Sequence, residues 1–324
     1  MGRKFHYLLD EQRTACKTGK RKELSGKIYS SCRKKIFPAV YKRMEEYNCA
    51  YQRWLKSTEE VKQKDPQASW KEIHKICGEC PWPQPVGWQS PFRPNGLYET
   101  MIRRIAPYSL RGFLYYQGEE NVQRYADYSD MMLMLVKQWR MDWNDWNLPF
   151  LLVQLPMYLA DGEKDDSCWA LQREQQYIAS MMIQNTGMIS LADCGEYDNI
   201  HPLDKKTPGE RLFQLAKNLV YDRQGTITAT AAQLFSDNGK IYATFDHLHE
   251  KLVMQTADSC PFEISGEDNL FYPAKADVIH GNMLCISNSA VKFPSAVKYA
   301  WYNFGEAVLF TESGNPVSPF FKSV

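Results

Sequence analysis

Apolar positions near the amino end recur at the spacing of an amphipathic helix. They are Val40, Met44, Tyr47, Tyr51 and Trp54. This pattern predicts a helix over about residues 38–64, which ends at Asp65 and Pro66 because proline cannot continue it. Ser69 followed by Glu72 is a capping-box pattern, and it predicts a short second helix.

From about residue 97 the pattern alternates between helical segments and short apolar strands. The predicted helices cover about residues 97–105, 122–143, 169–185 and 208–221, and the predicted strands cover 112–116, 149–154 and 187–192. This alternation is typical of a parallel sheet with helices on both faces. Ligands of such a sheet bind at the carboxyl ends of the strands.

After about residue 222 the helical pattern gives way to short β-prone segments separated by Gly, Asn, Asp and Pro. They are residues 226–235, 240–245, 252–256, 262–265, 283–287 and 297–303. Short strands without helices predict an antiparallel β-sandwich. The expected organisation is a basic segment at 1–35, an α/β domain at 36–224 and a β-sandwich domain at 225–324.

Composition and charge limit the classes of partner expected for this protein. The 324 residues carry a net charge of +1, so no global field favours binding to nucleic acid. The longest aliphatic run, Met131 to Val136, is far shorter than the ~18 apolar residues of a membrane-spanning helix. Nine cysteines at scattered spacings do not form a disulfide framework. We therefore expect no nucleic acid, no membrane and a cytoplasmic location.

Two loops that follow strands carry side chains capable of catalytic chemistry. After the first strand, Gly118 allows close approach of a substrate, and the Asn121 amide can donate to a developing oxyanion. The competing interpretation is that Asn121 caps the following helix. After the third strand, Asp198 precedes His201 by three residues, a spacing at which a carboxylate can orient an imidazole. The competing interpretation is a polar loop in which this spacing arises by chance.

Several motifs follow one another in a fixed order along the chain. They are Pro94 to Tyr98, Arg111 to Asn121, Leu148 to Leu155, Trp169 to Gln176, Gly187 to Leu212, Phe293 to Trp301 and Pro316 to Phe320. This order of motifs resembles the sialate O-acetylesterase family of carbohydrate esterases in the SGNH hydrolase superfamily. The resemblance implies a partial three-layer α/β/α domain followed by the β-sandwich. It also implies hydrolysis of O-acetyl esters on sugars or glycans by a Ser-His-Asp mechanism that needs no cofactor and no metal.

The resemblance assigns roles to residues of both loops. His201 is the expected general base and Asp198 the residue that orients it. Gly118 and Asn121 fall in the block that forms the oxyanion hole, and Gln117 and Glu119 are expected to shape the substrate pocket.

The serine block that the family places near the start of its esterase domain is missing here. Ser90, in Gly87-Trp88-Gln89-Ser90, is a poor substitute because it lies in a proline-rich loop without a strand-to-helix turn. We therefore expect the nucleophile to be absent from this chain, lost by truncation or carried by a separate chain, so that the chain alone is inactive. The alternative is a non-catalytic carbohydrate-binding remnant of such an esterase.

Two other groups of residues have weaker support as sites. His74, Cys77 and Cys80 have the spacing of a zinc half-site, but no matching second pair follows, so a structural thiol pair near a loop is the better interpretation. His247 and His249 lie in a predicted turn of the sandwich, where solvated side chains are expected.

Overall fold

A computed structural model describes residues 38–87, 90, 93–256 and 258–324, with side chains from Lys42 onward. The expected basic segment at 1–35 lies outside this range. The described residues fall into two compact units, one ending at Ile105 and the other running from Ala106 to Val324.

The first unit contains the two predicted helices, α1 (Pro38–Lys64) and α2 (Trp70–Cys77). The predicted capping box is present, because the Ser69 side chain accepts from the Glu72 backbone N–H while the Glu72 carboxylate accepts from Ser69 N. The apolar stripe of α1 packs its Trp54 ring parallel to the Trp70 ring, with centroids 6.4 Å apart. Further along, the predicted third helix is a π-helical turn, Tyr98–Ile102, that continues into α3 (Arg103–Ile105).

The second unit begins with the predicted parallel sheet. Its strands are β1 (Phe113–Tyr115), β2 (Phe150–Gln154) and β3 (Thr186–Ser190), paired in the order β1-β2-β3. The intervening helices are α4 (Tyr128–Asp142), α5 (Cys168–Met182) and α6 (Lys206–Leu219), and a 3₁₀ helix (Glu119–Asp127) precedes α4.

Two apolar layers cover the sheet. Alternate strand residues such as Phe150, Leu152 and Met188 pack against α4 and α5. The opposite set, including Leu151 and Ile189, packs against α6. Because side chains alternate between the faces of a strand, β2 is buried along its whole length. The predicted α/β/α layering is confirmed.

The carboxyl-terminal part of the chain is the predicted β-sandwich. Its strands are β4 (Thr230–Asp237), β5 (Lys240–Asp246), β6 (Leu252–Met254), β7 (Phe262–Ser265), β8 (Tyr272–Pro273), β9 (Lys275–Ile279), β10 (Met283–Ser287), β11 (Ala296–Tyr299), β12 (Leu309–Thr311) and β13 (Phe320–Ser323). One antiparallel sheet has the order β4-β5-β10-β9, a second has β13-β11-β7-β8, and β12 pairs with β6. Strands β8, β9, β12 and β13 were not predicted from the apolar pattern.

Buried polar groups join the parallel sheet to the sandwich. Asn303 accepts from the backbone N–H of Trp169 and donates to the Asp166 carboxylate, both at 2.9 Å. Gln154 Nε2 donates to the Ser318 hydroxyl at 2.8 Å. Met157 packs into the sandwich core itself. These contacts make residues 106–324 one compact unit, and the expected domain division at 224/225 stays a prediction.

Candidate active site

The loop after β1 is fixed by a glutamine on α5. Gln176 Nε2 donates to the carbonyl of Gln117 at 3.1 Å, and Gln176 Oε1 accepts from Leu155 N at 2.9 Å. Gly118 has a φ of +154°, and a Cβ added there would lie 3.0 Å from Gln176 Nε2 and 3.1 Å from Gln172 Nε2. Glycine is therefore required where this loop passes over α5.

The Asn121 side chain has a defined orientation. Gln117 Nε2 donates to Asn121 Oδ1 at 2.7 Å, so the amide oxygen is already engaged. The Asn121 Nδ2 group makes no hydrogen bond to another residue in the described range, and it is available as a donor. The 3₁₀ helix begins at Glu119 with Gly118 as its cap, so the interpretation of Asn121 as an N-cap is wrong.

Glu119 shares this loop. Its Oε2 accepts from the Gly118 backbone N–H at 2.9 Å, so the glycine amide that was expected to contribute to an oxyanion hole is bound to a carboxylate in this structure. Burial, with a smaller contribution from Glu119, raises the pKa of nearby Tyr116 to about 12. Tyr116 is therefore a neutral phenol beside the loop at physiological pH.

The loop after β3 is held by the Glu196 carboxylate, which was not among the predicted site residues. Glu196 Oε1 accepts from Leu203 N, and its Oε2 accepts from Asn199 Nδ2, both at 2.6 Å. These bonds lower the pKa of Glu196, so it stays ionised. Glu196 thus closes the segment that contains Asp198 and His201. Its role was not predicted, since no local pattern marks a carboxylate that bridges seven residues.

The Asp198 carboxylate hydrogen-bonds to the Asp161 backbone and not to His201. Its Oδ1 accepts from the backbone N–H of Asp161 at 2.9 Å. Its backbone is left-handed, with a φ of 58°. His201 is exposed, and its backbone N–H donates to Asn199 Oδ1 at 3.1 Å. No hydrogen bond or ion pair joins the Asp198 carboxylate to the His201 ring within the described part of the chain. Their assigned roles stay predictions.

An ion pair anchors the start of the same loop. The two oxygens of Asp193 accept from Nη1 and Nη2 of Arg211 on α6, each at 2.7 Å. Arg211 Nη1 also donates to the carbonyl of Ser190 at the end of β3. Burial raises the pKa of the adjacent Cys194 thiol to about 12. Cys194 is therefore protonated at neutral pH, which does not suit a thiolate nucleophile.

The two loops follow β1 and β3, the outer strands of the parallel sheet. Lys205 Nζ, beyond the third strand, lies 6.0 Å from the centroid of the Tyr116 ring at the end of β1. Tyr116 also interacts electrostatically with both Glu119 and Cys194. The structure therefore brings the Gln117–Asn121 loop and the loop after β3 to the same edge of the sheet, as the parallel topology predicts.

Ser90 belongs to the first unit. Its side chain is fully buried, its backbone N–H donates to the Gly87 carbonyl at 3.0 Å, and its own carbonyl accepts from Arg93. A buried serine is not presented to a substrate, which supports the prediction that Ser90 is not the nucleophile.

The groups considered as metal ligands do not assemble. Among the residues described here, no three His, Cys, Asp or Glu side chains lie close enough to hold a metal ion. Cys77 and Cys80 are free thiols, and His247 and His249 follow β5 in a turn, as predicted. No helix within the described range is long and apolar enough to cross a membrane.

Comparison with known proteins supports the resemblance. Residues 84–217 match the family described as carbohydrate esterase, sialic acid-specific acetylesterase. The mouse sialate O-acetylesterase is 27% identical over 264 residues, which cover 72% of this chain and 48% of that protein. The human sialate O-acetylesterase is 25% identical over 248 residues, covering 69% of this chain and 46% of that protein.

A solved structure shares the fold. The crystal structure of a carbohydrate acetylesterase from Xanthomonas citri superposes with a TM-score of 0.66 and 33% sequence identity, covering 71% of this chain and 54% of that one. The fold and both strand-end loops thus resemble those of a carbohydrate esterase domain. More narrowly, residues 84–217 are similar to the sialic acid-specific acetylesterase family. The chain spans about half the length of the curated relatives that it matches.

Proposed function

We propose that this chain is part of a carbohydrate O-acetylesterase that acts on O-acetylated sugars or glycans. One observation carries the proposal: the Asn121 amide is held by Gln117 with its N–H₂ group available, at the strand edge where the loop bearing His201 also lies. A preorganised amide donor of this kind is what stabilises the oxyanion of an ester-hydrolysis intermediate.

In the proposed mechanism a serine hydroxyl attacks the acetyl carbonyl and His201 takes its proton. Asn121 donates to the oxyanion, and the sugar hydroxyl leaves with the proton from His201. Water then attacks the acetyl-serine, His201 again takes the proton, and acetate is released as the serine regains its hydrogen. Asp198 Oδ2 makes no hydrogen bond to another described residue, so it is the oxygen proposed to accept from the His201 ring.

We further propose that the serine comes from a separate polypeptide segment that docks beside β1. Strand β1 pairs with β2 on one side and with no strand on its other side, within the described residues. Leu114, at the middle of β1, exposes 64% of its surface. An exposed apolar edge strand is the surface that a further strand would cover.

The test uses this chain alone and together with the amino-terminal half of a sialate O-acetylesterase. We expect no acetate release from 9-O-acetylated sialic acid by the chain alone, and release after complementation that is lost on His201→Ala. Asn121→Ala is expected to reduce the rate about 100- to 1000-fold. Turnover by the chain alone that disappears on Ser90→Ala would contradict the placement of the nucleophile outside this chain.

The second candidate function is a non-catalytic carbohydrate-binding protein. It is favoured by the Asp198 carboxylate, which binds the Asp161 backbone rather than the His201 ring. A calorimetric titration with O-acetylated sugars separates the two functions. Binding without acetate release after complementation supports the non-catalytic function, and acetate release excludes it.

We also propose a reducing compartment, such as the cytoplasm. The seven cysteines within the described range are all free thiols, and this supports the proposal. Cell fractionation with an antibody to the chain tests it, and recovery in a secreted fraction would contradict it. No nucleic-acid or membrane partner is proposed.

A further inference from the structure

A cleft lies between the loop after β3 and the sandwich. Its volume is about 300 Å³, at the lower end of the range for small-molecule sites. One wall comes from Met157, Ala192, Asp193 and Gly195 of the α/β part, and the other comes from Gln255, Thr256, residues 304–308 and Phe310 of the sandwich. None of the residues predicted for the acetyl-transfer site lines it.

Two glycines shape the cleft. A Cβ added to Gly195 would lie 2.1 Å from the Met157 carbonyl oxygen, so the loop after β3 can rest on Met157 only with glycine at this position. A Cβ added to Gly305 would lie 2.3 Å from the Tyr302 ring. The turn that carries Phe304 and Glu306 is therefore folded tightly on Tyr302. The walls are thus built by backbone packing and are preformed.

Glu306 is positioned at the cleft by its own contacts. Its Oε2 accepts from Ser259 N at 3.2 Å and from the Ser259 hydroxyl at 2.8 Å. These bonds lower the pKa of Glu306, so it is ionised at neutral pH. A carboxylate offers about four acceptor sites, so it retains capacity for a ligand hydroxyl.

The other side chains that line the cleft include both an aromatic ring and polar groups. Phe304 presents an aromatic ring that also packs edge-on against Tyr197, with centroids 5.6 Å apart. Gln255 and Thr256 are exposed and add amide and hydroxyl groups. An aromatic ring beside amide, hydroxyl and carboxylate groups suits a sugar ring, which has apolar C–H faces and a rim of hydroxyls.

The charge of the residues that line the cleft favours some sugars over others. The Asp193 carboxylate is neutralised by its two bonds to Arg211. Glu306 is therefore the charge that a ligand meets. An anionic sugar carboxylate would be repelled at this short range, whereas a neutral sugar can donate its hydroxyls to Glu306.

We propose that this cleft is a binding subsite for a neutral sugar ring, separate from the acetyl-transfer site. The choice of a sugar as ligand rests on the proposed function. The Tyr197–Phe304 contact connects the subsite to the loop that carries Asp198 and His201. A neutral sugar held here would therefore adjoin the loop on which hydrolysis is proposed to occur.

The experiment is a calorimetric titration of the full chain with lactose, xylobiose and maltose as neutral probes and with a methyl sialoside as the anionic probe. We expect saturable binding of at least one neutral disaccharide, and weaker binding of the sialoside. Gln255→Ala removes one neutral hydrogen-bond partner and is expected to weaken the neutral sugar about fivefold. Gln224→Ala, an exposed glutamine outside the cleft, is the matched control and should leave binding unchanged.

Glu306→Gln provides a second, charge-specific readout. The substitution keeps the shape of the side chain and removes its charge, so the preference for neutral sugar over the sialoside should fall about tenfold. Circular dichroism of each variant verifies the fold. The proposal is overturned if no neutral probe binds, if Gln255→Ala and Gln224→Ala behave alike, or if Glu306→Gln leaves the preference unchanged. Acetate release after complementation is measured separately, so sugar binding by the chain without acetate release after complementation contradicts only the proposed function.

Discussion

Replacing Asn303 by alanine should weaken the junction between the sandwich and the α/β part and lower the stability of the chain. Asn303 is 3% exposed and its side chain makes two hydrogen bonds across this junction, to the Trp169 backbone N–H and to the Asp166 carboxylate. Loss of the first leaves a buried donor without a partner, at a cost of about 1–3 kcal/mol. The second bond involves an exposed carboxylate and contributes about 1 kcal/mol. The free energy of unfolding should therefore fall by about 2–4 kcal/mol.

Urea denaturation of the full chain, followed by tryptophan fluorescence, measures this change. The midpoint should fall without a change in slope, because the surface exposed on unfolding is the same. Asn282→Ala is the matched control, since Asn282 is exposed on the sandwich and its side chain lies outside the junction. It should change the free energy of unfolding by less than ~0.5 kcal/mol.

The pH dependence gives an independent check. The pKa of Asp166 is lowered in the folded chain, chiefly by its hydrogen bond from Asn303. A lowered carboxyl pKa contributes stability above the unfolded value of about 3.9, and this stability is lost as the pH falls through the folded pKa. The difference between wild type and Asn303→Ala should therefore shrink below about pH 4. A difference within the range of the Asn282→Ala control, or one that widens in acid, would refute the reasoning.

Three further changes test other parts of the fold. Tyr299→Phe removes a fully buried hydroxyl that accepts from Val308 N and Leu309 N; urea denaturation should show a loss of about 2–4 kcal/mol, and an unchanged midpoint would contradict these bonds. Asp193→Asn breaks the paired contact with Arg211. The free energy of unfolding in the same assay should fall by about 1–3 kcal/mol, and this loss should depend only weakly on salt. A strong salt dependence would indicate a solvated pair. Arg173→Met replaces a fully buried guanidinium that donates to the Tyr302 carbonyl and has no carboxylate partner within salt-bridge distance in the described range. Calorimetric melting should show stability within ~1 kcal/mol of wild type, because the desolvation cost of the buried charge offsets the lost hydrogen bond. A large loss would show that the bond to Tyr302 outweighs that cost.

Local features of this chain were predictable because they depend on neighbours in sequence. The bounds of α1 and the Ser69–Glu72 capping box follow from spacing alone. The sequence of helix and strand from β1 to α6 follows from apolar periodicity. The placement of Gln117–Asn121 and of the loop after β3 at one sheet edge follows from the parallel connection of the strands.

Other local predictions failed where tertiary packing intervened. The helix expected from about residue 122 starts earlier, as a 3₁₀ segment at Glu119, because Gly118 turns the chain over Gln172 and Gln176 of α5. Strands β12 and β13 are short and were missed, since their pairing with β6 and β11 supplies the backbone hydrogen bonds that local pattern does not reveal.

The sequence by itself determined the helices and strands from α1 to α6 and part of the sandwich, and it marked Asn121, Asp198 and His201 as residues capable of catalytic chemistry. Only the tertiary structure decided which groups meet. It gave the Asp198 carboxylate to the Asp161 backbone, oriented Asn121 through Gln117 and placed Glu306 across a cleft from Gly195. The physical reason is that periodicity records whether a side chain is buried, whereas hydrogen-bond partners far apart in sequence depend on how the buried surfaces pack together.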